Sequence, residues 1–188
     1  MTSVMPLLSL DVRRSLARLI PLSIAALFAF ASAVTLAQQV DSAAIEKAEI
    51  MNLRTPAANV FSSGQPTQEQ LQLLASSGVK HIISLRPASE LDWDEAAMVK
   101  SLGMEFHNIP VAGAEGVTAE NAKQLDNLLS SLNGQPLLVH CASSNRVGAL
   151  RALTAAQKEG QALESAVTTG KAWGLTGLEP AVREKLAQ

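Results

Sequence analysis

The sequence has one cysteine, Cys141, which excludes an intrachain disulfide framework and any metal knuckle built from several cysteines. Aromatic residues make up 3% and tyrosine is absent, so the core must be assembled from Leu, Val, Ile and Ala. Neither sign of charge predominates. With 15 Lys+Arg against 17 Asp+Glu the formal net charge is -2, which argues against a general nucleic-acid binder. Apolar residues reach 47%, too many for a chain disordered throughout. A length of 188 residues suits one domain, or one domain with a tail. No internal repeat or low-complexity segment is present.

Residues 1–37 differ from the rest. Arg13, Arg14 and Arg18 precede an uncharged apolar run from Leu19 to Ala37, which closes on small residues at Ala31-Ser32-Ala33 and Thr35-Leu36-Ala37. A basic start, apolar middle and small-residue exit describe an export signal, cleaved after Ala37 or, as second choice, after Ala33. A cleaved signal makes residues 38–188 periplasmic or secreted, without stable membrane association. An uncleaved run is near the ~20 residues that span a bilayer and would anchor the chain.

Strand and helix patterns alternate through the remainder. Helices are expected over 41–53, from the cap at Thr67 to about Ser76, over 93–102, from Thr118 to Leu132, from Arg146 to about Gln157, and over 161–172 and 179–187. Thr67 and Gln70 have capping-box spacing. Strands are expected at 59–61, 79–85, 105–111 and 137–140, the last continuously apolar as in a strand buried on both faces. This order predicts a compact α/β domain with a mainly parallel central sheet flanked by helices. Gly148, inside a helix pattern, is expected to allow close packing against the sheet.

The chemistry gathers in Leu137 to Leu150, LLVHCASSNRVGAL. A buried strand delivers Cys141 to its C-terminal end, a polar turn Ala142-Ser143-Ser144-Asn145 follows, and Arg146 opens a helix. At this edge of an α/β sheet ligands bind. Successive turn amides can form an anion nest, and the helix behind adds unsatisfied N–H groups and the positive end of its dipole. Arg146 can grip two oxygens of one anion, which a lysine does less well. The same features favour the thiolate of Cys141, which makes it a candidate nucleophile facing a tetrahedral oxyanion.

His140-Cys141, a short turn and Arg146 resemble the signature of the cysteine-dependent phosphatases, especially the dual-specificity branch of the tyrosine phosphatase superfamily. Ser63-Gly64-Gln65-Pro66-Thr67, then Leu85-Arg86-Pro87 with Glu90, then Ile109-Pro110-Val111 resemble a bacterial group similar to the phosphatase-like domain of beta-lactamase-hydrolase-like proteins. The resemblance covers about residues 52–175. It implies a dual-specificity-phosphatase-like fold and a metal-independent phosphoric monoester hydrolase acting through a phosphocysteine. Cys141 would be the nucleophile, Arg146 would bind phosphate and stabilise the transition state, and the amides of Ala142, Ser143, Ser144, Asn145 and Arg146 would hold the other oxygens. His140 would support the thiolate and the loop. The implied partner is a phosphorylated protein or small molecule, with no cofactor.

Four residues separate Cys141 from Arg146, one fewer than in the standard phosphatase loop, and this spacing also resembles the short loop of rhodanese-type sulfurtransferases. A thiosulfate or persulfide sulfurtransferase using Cys141, or a weakly catalytic phosphate-binding module, are therefore the alternatives. Ser144 occupies a place where glycine is common, and Val147 one where a hydroxyl commonly assists the leaving thiolate. The loop Val111 to Val117, where this type of phosphatase carries an acidic residue, holds no Asp, and Glu115 is its only carboxylic acid and the candidate proton donor. Glu90, Asp92 and Asp94 read as a charged helix start, and Arg86 as the ion-pair partner of Glu90. His81 and His107 read as core or surface histidines, without a second ligand at metal spacing along the chain, and no metal is expected.

Overall fold

β-Branched and leucine side chains that alternate between two covered faces build the centre of the molecule. The computed structural model describes residues 40–187. The leader expected over 1–37 lies outside them. Five strands form one sheet in the order β1-β2-β5-β3-β4, with β1 Arg54–Ala57, β2 Val60–Ser63, β3 His81–Ser84, β4 Glu105–Asn108 and β5 Leu137–His140. β1 and β2 form an antiparallel hairpin, and every other pairing is parallel. In central β5, Leu137 and Val139 enter one core while Leu138 enters the other. That is why this strand reads as an unbroken apolar run.

Helices cover both faces. α1 Ser42–Lys47, α2 Gln68–Ser76 and α3 Glu95–Ser101 pack on the face of Phe61, Ile82 and Leu138. α4 Ala119–Ser131, α5 Asn145–Gln157, α6 Leu163–Ala172 and α7 Glu179–Leu186 pack on the face of Ile83, Leu137 and Val139. The Thr67–Gln70 capping box forms reciprocally, and Thr118 accepts from the Asn121 amide at the start of α4. Strands β3 and β4 are shorter than the expected 79–85 and 105–111, and two further elements differ more. The first helix is shorter, ending at Lys47, and strand β1 appears where none was expected. The β1–β2 turn is Ala58-Asn59, with Asn59 at φ 61, so its turn chemistry rests on a single asparagine.

Gly148 also differs. Its close neighbour is not the sheet but α6 and the segment after it: a Cβ there would lie 2.1 Å from the Leu175 amide nitrogen and 2.6 Å from the Gly170 carbonyl oxygen. Two facing glycines let α5 and α6 approach backbone to backbone and hold the start of α5 in place.

Candidate active site

Parallel strands β2, β5 and β3 end together, and Cys141 follows β5 directly, 1% exposed. Its amide donates to the Ser63 carbonyl at the end of β2. The loop that follows is held from outside at several points. The Gln65 amide donates to the Ala142 carbonyl, Gly64 bridges to Ser143, and the Asn52 side-chain amide donates to the Ser143 carbonyl at 3.1 Å. Asn145 Oδ1 accepts from the amides of Thr176 and Leu178, which ties the loop to the approach to α7. Among the described residues, the amides of Ala142, Ser143, Asn145, Arg146 and Val147 have no backbone or side-chain acceptor. These N–H groups, at a turn and the first turn of a 13-residue helix, are the donors an anion requires.

Ser144 lies in the left-handed region, φ 67, fully buried. Such a conformation costs a non-glycine residue about 1 kcal/mol. Its hydroxyl donates to the Trp173 carbonyl at 3.0 Å, a bond that offsets a cost of that order. Serine therefore does here what glycine does by lacking a Cβ. Gly174, φ +102, faces it: a Cβ on Gly174 would lie 2.3 Å from Ser144 Oγ. Gly174→Ala is expected to destabilise the protein by roughly 1–3 kcal/mol. Adding Ser144→Gly should recover part of that loss, since the clash goes and the φ strain stays. Thermal melts of the single and double variants check this coupling.

Arg146 is 8% exposed and tightly held. Nη1 donates to Glu90 Oε1 at 2.9 Å and to the Val111 carbonyl at 2.6 Å, and Nη2 donates to Glu90 Oε2 at 2.7 Å. A guanidinium has five N–H donors. The protein takes the end facing Glu90 and the outer Nη1–H, leaving Nε–H and the second Nη2–H, a parallel pair along one edge suited to two oxygens of one anion. Burial works against the Arg146 charge, but Glu90 and the Cys141 sulfur beside it raise its pKa above the ordinary value. Glu90 is lowered, chiefly by its hydrogen bonds from Arg146, so it stands as a carboxylate and not as a proton donor. Arg86 supports it from behind, through Nε to Glu90 Oε2 at 3.3 Å and Nη2 to the Glu90 carbonyl, while its Nη1 donates to Gln65 Oε1 at 2.8 Å.

The sequence of DSP-PTPase phosphatase domains fused to NAD+ kinase provides a family model that matches residues 27–172. The chain belongs to this family. No curated protein matches it. Among solved structures, a candidate phosphatase of the DUF442 group from Shewanella putrefaciens CN-32 is 24% identical, with TM-score 0.57, over 75% of this chain and 95% of that one. A candidate phosphatase from Neisseria meningitidis z2491 is 23% identical, TM-score 0.60, over 72% and 96%. TpbA of P. aeruginosa, solved with phosphotyrosine, is 18% identical, TM-score 0.50, over 73% and 91%. These likenesses concern the fold: a single α/β domain with a mixed, mostly parallel sheet flanked by helices, as in phosphatases of the dual-specificity type.

In this DSP-PTPase domain the three short motifs outside the Cys141 loop converge on it. Gln65 reaches Ala142 and Arg86, Arg86 holds Glu90, Glu90 in turn holds Arg146, and Val111 accepts from Arg146. The Arg86–Glu90 pair reads correctly from sequence, whereas the larger role of Glu90 as the clamp of Arg146 does not. A separation of 56 residues gives that contact no local signal.

His140 is fully buried under the loop. Its Nε2 lies 3.2 Å from Glu95 Oε1, close enough for an ion pair but off the angle of a hydrogen bond, and Gln65 Nε2 donates to the same oxygen at 2.6 Å. Burial would raise the Glu95 pKa, but His140, Gln65 and Ser84 together hold it below the ordinary value. A carboxylate lowered on folding contributes stability that is complete above its unfolded pKa of 4.5 and is lost as pH falls through the lower folded value. Glu90 behaves alike. The melting temperature is therefore expected to decline on acidification below pH 4.5, and Glu95→Gln to make that decline shallower. Melting curves across this range check the slope.

Glu115 is exposed and lines a shallow depression with Ala181, Glu184 and Lys185 of α7. It has no hydrogen bond to the Cys141 loop among the described residues. It is four residues from Val111, whose carbonyl touches Arg146. Val147 is fully buried in the core, so its position offers the site no hydroxyl.

Proposed function

We propose that this chain is an exported, metal-independent cysteine phosphatase that hydrolyses phosphomonoesters through a phosphocysteine at Cys141. The observation that carries this reading is the set of donors in the loop after the buried Cys141: the unpaired amides of Ala142, Ser143, Asn145, Arg146 and Val147, and one edge of an Arg146 guanidinium whose other end Glu90 holds. Cys141 Sγ attacks phosphorus as a thiolate, the P–S bond forms, and the P–O bond to the leaving group breaks. The loop amides and Arg146 stabilise the equatorial oxygens. Water then attacks phosphorus, the P–S bond breaks, and inorganic phosphate leaves with the thiolate restored. His140, between the strand and Glu95, keeps the base of the loop in position. The leader over 1–37 supports action in the periplasm or outside the cell. The binding of phosphotyrosine by a structural relative supports a phosphorylated substrate.

Glu115 is the proposed proton donor to the leaving oxygen. An acid matters little when the leaving group is a stable phenolate and much when it is an alkoxide. Glu115→Gln is therefore expected to leave p-nitrophenyl phosphate hydrolysis nearly intact and to lower hydrolysis of an alkyl phosphate by about 10²-fold. An alkyl phosphate rate unchanged from that of the native protein would remove Glu115 from the mechanism. The reading as a whole is tested by phosphate release from p-nitrophenyl phosphate by the purified protein with a reductant present. Release is expected, and its absence would overturn the reading.

A further inference from the structure

At the other end of the sheet, three metal-ligating side chains that are scattered in sequence come together. His81 opens β3, and Glu105 and His107 lie on the edge strand β4. The register places His81 opposite Glu105 and Ile83 opposite His107, so all three side chains share one face. His81 Nδ1 is 3.3 Å from His107 Nε2 and 3.4 Å from Glu105 Oε2, and His107 Nε2 is 3.8 Å from the same oxygen. A point equidistant from three atoms so spaced lies about 2.0 Å from each, the bond length of Zn2+ to imidazole nitrogen and carboxylate oxygen.

The surroundings match a ligand set. His81 is 3% exposed and its Nε2 is 3.2 Å from Gln135 Oε1, an acceptor only. With the His81 proton on Nε2, that contact is a hydrogen bond and the Nδ1 lone pair is left toward the other two donors. An outer hydrogen bond of this kind orients metal-bound histidines. His107 is partly exposed and Glu105 is 71% exposed, so solvent can reach the open coordination positions. The cluster is separate from the Cys141 site. His81 aligns with Leu137 and Ser84 with His140, a distance of about 10 Å along the strands.

We infer that His81, Glu105 and His107 form a binding site for one divalent transition-metal ion of the Zn2+ class, joining edge strand β4 to β3. Two imidazoles and one carboxylate suit borderline ions such as Zn2+ and Cu2+ and disfavour Mg2+ and Ca2+. The ion takes no part in the chemistry at Cys141. Ligation requires His107 to carry its ring proton on Nδ1, in place of the Nε2–H that can bridge to His81 when no ion is bound.

The test is calorimetric titration of ZnCl2 into untagged protein carrying Cys141→Ser, which removes the one thiol. One ion per chain is expected, with a dissociation constant in the micromolar range or tighter. His107→Gln and Glu105→Gln, both at accessible positions, should each weaken binding at least tenfold, and Gln135→Ala by about 10–100-fold. Zn2+ should raise the melting temperature of the parent and not that of His107→Gln. In the Cys141 background His107→Gln should leave p-nitrophenyl phosphate turnover unchanged. No binding by the parent, or binding undiminished in His107→Gln, would overturn the site.

Discussion

Cys141→Ser is expected to lower p-nitrophenyl phosphate turnover by about 10³-fold or more. The substitution exchanges sulfur for oxygen in a site that is 1% exposed, so shape is preserved. What changes is the nucleophile. A thiolate is a strong nucleophile toward phosphorus, whereas a serine hydroxyl needs a general base to take its proton. Phosphate binding should persist, because the amides of Ala142 to Val147 and Arg146 are untouched. Unchanged melting with lost turnover would separate chemistry from folding. Phosphate binding without turnover in the native protein as well would instead identify an anion-binding module.

Arg146→Lys is expected to reduce kcat/KM by roughly 10²–10³-fold. Charge survives this change but geometry does not. Lysine cannot hold Glu90 at both oxygens, donate to the Val111 carbonyl and still present two parallel N–H groups to an anion. The effect should fall on kcat as well as KM, because the oxygens gripped by Arg146 gain charge stabilisation in the transition state. Steady-state kinetics with p-nitrophenyl phosphate separate the two. A lysine variant that retained native turnover would show that a point charge suffices, and would remove the reason for the Glu90 clamp.

Local signals account for what could be read in advance. The Thr67–Gln70 box, the Thr118 cap and the apolar run of β5 depend on neighbours within a few residues, and each element formed where its own chemistry placed it. Cys141, the turn and Arg146 are contiguous, so their convergence was legible. Strand β1 was not, because four residues with Pro56 among them and an Ala58-Asn59 turn carry little strand signal. Gly148 approaches α6 and not the expected sheet, because a helix glycine announces close approach without saying to what. The Glu90–Arg146 clamp and the His81–Glu105–His107 cluster depend on strand register and loop placement over separations that no periodicity encodes.

The short Cys141 loop leaves sulfur transfer as the rival chemistry, and the covalent state of Cys141 distinguishes the two. The decisive measurement is rapid acid quenching of the native protein during p-nitrophenyl phosphate turnover, followed by mass spectrometry of the peptide containing Cys141. The account predicts a peptide heavier by one phosphoryl group, carried on the sulfur and absent in Cys141→Ser. An unmodified Cys141 throughout turnover, or a persulfide formed readily from thiosulfate with no phosphoryl adduct from the ester, would contradict it.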